Sequence, residues 1–158
     1  MTVHEVAPEV DTNALLAGAQ FIDAYRLETG GLPPLAARQA AERMLGGSPR
    51  WVDALVRLRN ILVAPFGLKT SGAGERPPKA MIGMFPVLSE APDRLVAGFN
   101  DKHLDFRVVV DVAASGAGQQ VTATTLVLTH NWLGRSYLAI IVPFHRLIVR
   151  TLLRQVAV

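Results

Sequence analysis

The sequence predicts an α+β domain in which an antiparallel, curved sheet wraps around a long C-terminal helix. Four stretches between Met81 and Thr129 are rich in β-branched and aromatic residues and are joined by short, turn-forming segments. The last segment, from Trp132 to Val156, repeats apolar residues at helical spacing. Half of the 158 residues are hydrophobic, enough to bury one sizeable core, so residues 1–158 are expected to form a single domain.

Taken in order, residues 1–18 read as an N-terminal arm in which Asp11, Thr12 and Asn13 offer capping side chains to a short Ala/Leu helix. Gln20 to Leu27 alternates weakly and predicts a first strand, followed by a turn at Gly30-Gly31-Leu32-Pro33-Pro34. Ala36 to Leu45 has high helix propensity and ends at Gly46-Gly47, the usual chemistry of a helix C-terminus. Ser48-Pro49 supplies an N-cap and a first-turn proline to a second helix, anchored by Trp51 and striped with Val52, Leu55, Val56 and Leu62. Residues 67–79 are dominated by Gly, Ser, Thr and Pro and predict a flexible loop.

The four strands are Met81 to Leu88, Leu95 to Phe99, Leu104 to Val112 and Val121 to Thr129. Their connections, around Pro92-Asp93, Asn100-Asp101-Lys102 and Ser115 to Gly118, are too short for the crossovers a parallel sheet needs, so the sheet must be an antiparallel meander. In the third strand Leu104, Phe106, Val108, Val110 and Val112 share one face, while Asp105, Arg107 and Asp111 share the other. The final helix carries Leu133, Tyr137, Ile140, Ile141, Phe144, Ile148 and Leu152 on one side and Arg146, Arg150 and Arg154 on another. Pro143 predicts a kink or break in it. A sheet that grips this helix buries both apolar faces at once, which is a helix-grip layout.

Composition excludes several classes of function. With no cysteine there is no disulfide, thiolate zinc site or cysteine nucleophile, and a reducing, cytoplasmic location is expected. The acidic start Met1 to Val6 lacks the pattern of an export signal. The longest apolar run, Tyr137 to Phe144, is far shorter than the roughly 20 residues of a spanning helix, so no integral membrane association is expected. The net charge of +3 comes from scattered arginines, which gives no reason to expect a nucleic-acid partner. Gly67-Leu68-Lys69-Thr70 lacks the glycine spacing of a phosphate loop, and no serine sits in a nucleophile elbow. The four histidines, His4, His103, His130 and His145, have no metal-ligand spacing, so no metal, cofactor or catalytic residue is assigned.

Among the polar residues, Asp105 and Arg107 sit two apart on one strand face and most simply form a surface ion pair. His130 shares a strand face with Leu126 and Leu128 and directly precedes the long helix, where Asn131 offers an N-cap. His145, beside Arg146, is expected on or near the solvated helix face.

Three segments, Ile82 to Ser89, His103 to Val108 and Thr129 to Val149, resemble a bacterial family called domain of unknown function 2867. The likeness covers nearly the whole chain, and its most specific part runs from Gly134-Arg-Ser-Tyr to Pro143-Phe-His-Arg. The resemblance implies a layout similar to the START/polyketide-cyclase superfamily, whose members enclose apolar ligands between sheet and helix. It also implies kinship with partners of short-chain-dehydrogenase-like proteins, although no dehydrogenase domain is present here.

The expected function is that of a non-enzymatic binding module for a small apolar ligand held between the sheet and the C-terminal helix. Phe106, Val108, Leu126, Leu128, Tyr137, Ile141 and Phe144 would line the site, with His130 near its opening. The alternative is a cyclase- or dehydratase-like enzyme for a polyketide-like substrate, with His130 and Tyr137 exchanging protons and Arg107 steadying negative charge. A third reading is a structural or dimerising module, and a homodimer stays open.

Overall fold

The computed structural model describes residues 2–45, 81–82, 85–100, 103–116 and 118–157. The helix expected over residues 48–62 and the loop expected at 67–79 lie outside the described residues. The elements are β1 (Val3–Val6), α1 (Thr12–Leu16), β2 (Phe21–Glu28), α2 (Ala37–Leu45), β3 (Met81–Ile82) and β4 (Phe85–Ala91). They continue with β5 (Arg94–Asn100), β6 (Leu104–Ser115), β7 (Gly118–Thr129), α3 (Trp132–Arg154) and a final 3-10 turn (Gln155–Ala157). The strands form one sheet in the order β1-β2-β7-β6-β5-β4-β3, antiparallel at every junction. The chain is thus an α+β fold with a long C-terminal helix on its antiparallel sheet, as its patterning predicts.

Two strand assignments differ from the sequence reading. Val3–Val6, read as part of an arm, pairs with β2 as an outer strand. The run from Met81 is two strands, β3 and β4, which pair with each other through Met81↔Pro86 and Ile82↔Phe85. Alternation alone does not reveal such a reversal, because both halves are apolar.

The β6–β7 hairpin sets the register of the sheet centre. Ser115 pairs with Gly118, leaving a two-residue loop in which Gly116 takes φ 55°, a conformation that glycine adopts without steric cost. From that turn the ladder runs through Val110↔Ala123 and Val108↔Thr125 to Phe106↔Val127. Even-numbered residues of β6 therefore share a face with odd-numbered residues of β7.

One face carries the main core. Tyr25, Leu27, Leu95, Ala97, Val108, Val110, Val121 and Ala123 meet α2, the end of α3 and the 3-10 turn after it, where Val149, Leu152, Leu153 and Val156 are buried. Ala37, Ala40 and Ala41 let α2 approach the sheet closely, and Arg43 Nη1 donates to the Val156 carbonyl at 3.1 Å. Gln119 brackets the entry to α2, accepting from the Leu35 amide at 2.9 Å and donating to the Leu35 carbonyl at 2.7 Å. The other face has a smaller cluster of Leu16, Val96, Val109 and Leu126, beside α1. Asp11 caps α1, its carboxylate accepting from the Ala14 amide.

Candidate functional site

The first half of α3 lies over the β2–β7 side of the main face, and its start is determined locally. Asn131 Oδ1 accepts from the Gly134 amide at 3.0 Å, the expected N-cap, and its Nδ2 lies 2.8 Å from His103 Nδ1. The His130 amide donates to the His103 carbonyl at 3.0 Å, so this entry to the helix is tied to the start of β6. A Cβ on Gly134 would lie 2.1 Å from that same carbonyl oxygen, so the helix approaches this closely only because the position has no side chain. Pro143 neither breaks nor ends the helix, which continues to Arg154. Pro143 and Ala139, whose carbonyl loses its intrahelical donor, are both exposed, so water can satisfy that oxygen.

Two residues beyond Pro143 the helix is fastened by its side chains. His145 Nε2 lies 3.2 Å from the Asp23 carboxylate, with both side chains largely buried, and the imidazole meets Phe21 edge-on at 5.5 Å. The expected position of His145 on the solvated face is therefore corrected: it occupies the inner side of the helix, three residues past Val142. Farther along, the Arg150 guanidinium sits 5.5 Å from the centre of the Tyr25 ring. The Tyr25 hydroxyl is fully buried and has no hydrogen-bond partner among the described residues. Burial raises its pKa, as do the carboxylates of Asp23 and Glu5, while Arg146 and Arg150 pull it down.

Between this helix and the sheet runs an open groove of about 470 Å³, lined by Gln20, Thr129, Arg135, Leu138, Ala139, Val142 and Pro143. Leu138 and Val142 form its apolar wall; Gln20, Thr129 and Arg135 give it a polar end. Gln20 Oε1 accepts from both the amide and the hydroxyl of Thr129, so those two side chains are held, whereas Arg135 is exposed and has no ion pair among the described residues. The same face of the sheet carries a second apolar surface. Phe85, Phe99 and Phe106 stack side by side with ring centres 5.1 to 6.2 Å apart, all partly exposed. Phe106 is opposite Val127, so Thr129 is its diagonal neighbour, roughly 7–8 Å away in such a ladder.

The predicted lining residues divide between the two faces of the sheet. Phe106 and Val108 belong to the helix-facing core, and Tyr137 and Ile141 are half-buried along α3. Leu126 and Leu128 face the other way, because Leu126 is opposite Arg107 and Leu128 opposite Asp105. His130 goes with them: its Nε2 is 3.0 Å from Asp105 Oδ1, on the face away from the helix. Phe144 is 49% exposed on the outer side of α3. These four residues are corrections to the expected lining, and their cause is the odd-to-even register of the β6–β7 hairpin together with the rotation of α3. The expected Asp105–Arg107 pair is replaced by Asp105–His130, while Arg107 Nη1 donates to the carbonyls of Phe99 and Phe106. Arg107, His130 and Tyr137 therefore do not converge on one pocket.

Reading the sequence missed Gln20, Asp23, Arg135 and Leu138. The signal for Asp23 was an acid between Phe21 and Tyr25 on the apolar face of a strand, where a charge needs a partner. Among the described residues no group of three or more His, Asp or Glu side chains could hold a metal ion.

A family model described as "Protein of unknown function (DUF2867)" matches residues 15–152. No curated protein matches the chain.

Proposed function

We propose, for a chain that belongs to the family of unknown function DUF2867, a non-enzymatic role in binding a small apolar ligand between the sheet and the C-terminal helix. The observation that carries this reading is the groove of about 470 Å³ beside α3, a volume within the usual range for small-molecule sites. Its apolar wall of Leu138 and Val142 accommodates a hydrocarbon body. Arg135 at its rim favours a ligand with an anionic end. The partly exposed row of Phe85, Phe99 and Phe106 shares the sheet face of Thr129, and in this reading Phe106 and Val108 stay on the ligand's side together with Tyr137 and Ile141. The cyclase- or dehydratase-like alternative has less support, since two of its three acid–base and charge-stabilising groups face away from the groove.

Native mass spectrometry of the protein purified from its own host, compared with the denatured mass, tests this reading. The expected result is a reproducible adduct that denaturation releases and that Ala139→Trp, which fills the groove, removes. Titration with anilinonaphthalene sulfonate, an apolar probe with one anionic group, should show saturable binding weakened by Arg135→Gln. A clean mass together with no saturable probe uptake, or uptake indifferent to both substitutions, overturns the proposal.

A further inference from the structure

We propose that the outer side of α3 docks on an anionic lipid membrane, a role that does not rest on the ligand reading above. Among the described residues five large hydrophobic side chains are exposed, and four of them, Trp132 (68%), Ile140 (68%), Phe144 (49%) and Leu147 (54%), are on this one helix. Spaced eight, four and three residues apart, they form a single stripe along the side opposite Val149 and Leu152. A continuous apolar strip of this kind on a folded surface marks an interaction site.

The charge of the helix says what covers the stripe. α3 contains Arg135, Arg146, Arg150 and Arg154 and no Asp or Glu. These four exceed the net charge of +3 for the whole chain, so the remainder carries a slight negative excess and the positive charge is concentrated here. Arg146 and Arg154 are exposed on the side of the helix that leads from the stripe towards the groove, where Arg135 is exposed as well. An apolar strip flanked by arginines, with tryptophan at one end, has the pattern of a helix lying in the headgroup region of a membrane. A second copy of the chain fits poorly, because two stripes meeting face to face would bring arginines together with no carboxylate on either helix to offset them.

Crossing the membrane also fits poorly. Trp132–Ala157 is long and apolar enough to do so, with a mean hydropathy of 1.4 over an 18-residue window, which the isolated run Tyr137 to Phe144 did not suggest. Its inner side, however, is seated on the sheet through His145 and Asp23 and through buried Val149, Leu152 and Leu153. The helix axis is therefore held along the protein surface, and about 35 Å of helix can lie flat on a bilayer.

Co-sedimentation of the full chain with phosphatidylcholine vesicles, with and without phosphatidylglycerol, tests the proposal. Binding is expected only to the anionic vesicles and should fall as salt rises. Arg146→Gln and Arg154→Gln should each weaken it about fivefold. Ile140→Ser combined with Leu147→Ser should weaken it about tenfold or more while leaving the circular dichroism spectrum and melting temperature unchanged, since both side chains are already solvated. In a Trp51→Phe background, Trp132 emission should shift to the blue on vesicle binding. Absence of binding, binding that the stripe substitutions do not weaken, or a self-associated protein that they dissociate would each overturn it. Retention by membranes until detergent is added would overturn it in favour of a spanning helix.

Discussion

His145 Nε2 lies 3.2 Å from the carboxylate of Asp23, joining the middle of the C-terminal helix to the second strand across 122 residues of sequence. Both groups are largely withdrawn from water, so each depends on the other for its hydrogen bond. Removing one partner of a buried pair leaves the other desolvated and unpaired, whereas replacing both with apolar groups does not. His145→Ala is expected to lower stability by about 3 kcal/mol. The double substitution Asp23→Leu with His145→Leu should recover most of that loss. Urea denaturation of Asp23→Leu, His145→Leu and the double variant measures the coupling, and simple additivity would contradict it.

Tyr25 gives the opposite expectation. Its hydroxyl is buried without a partner among the described residues, so Tyr25→Phe should leave stability at neutral pH unchanged or raise it by about 1 kcal/mol, while keeping the ring that Arg150 covers. The raised pKa also has a signed consequence. The stabilising contribution of the protonated phenol is complete below its ordinary value of 10.0 and is lost as pH climbs through the higher folded value. Thermal melts in mildly alkaline buffers and above pH 10.0 should show a loss of stability that is smaller in Tyr25→Phe.

Gly134 is the tightest point between helix and sheet. A methyl group there would collide with the His103 carbonyl oxygen, which is backbone and can yield only by moving β6 or the helix start. Gly134→Ala is expected to cost about 1–3 kcal/mol, although alanine is the better helix former. A melting temperature equal to the parent protein would show that the helix start is free to shift.

Asn131 should behave as an N-cap in isolation. Asn131→Ala removes the acceptor for the Gly134 amide and should cost about 1 kcal/mol, whereas Asn131→Asp should largely preserve stability. Chemical denaturation of the two variants distinguishes a capping role from one that depends on the contact with His103.

Glu90 pairs with Arg38 on the surface between α2 and β4, and that guanidinium lowers the carboxyl pKa. Its contribution is present above the ordinary carboxylate pKa and is lost as pH falls through the lowered one, so Glu90→Gln should flatten the acid limb of the stability profile slightly. Because both groups are exposed, the difference should shrink further at high salt.

Much of this architecture can be read from local pattern. The alternation Leu104, Phe106, Val108, Val110 and Val112 marks a strand with one buried face, and the short connections dictate antiparallel hairpins. Ser115 to Gly118 even contains the register: a two-residue hairpin pairs even positions of one strand with odd positions of the next. Grouping Phe106 with Leu126 and Leu128 overlooked that parity and placed residues of opposite faces in one site. His145 was misplaced for a different reason. Its neighbour Arg146 is exposed, but a helix turns 100° per residue, and one step was enough to carry the imidazole to the inner side.

By itself, then, the sequence determined the central strands, the antiparallel sheet, the capped C-terminal helix and the apolar character of its faces, because each follows from spacing along one segment. Only the tertiary structure decided which faces meet: that Asp23 answers His145, that Asp105 answers His130, that Leu138 and Val142 wall a groove, and that Trp132, Ile140 and Leu147 remain outside. Periodicity assigns a side chain to a side of its own backbone. Contact with a distant partner depends on strand register and helix rotation, which are set by the packing of the whole sheet.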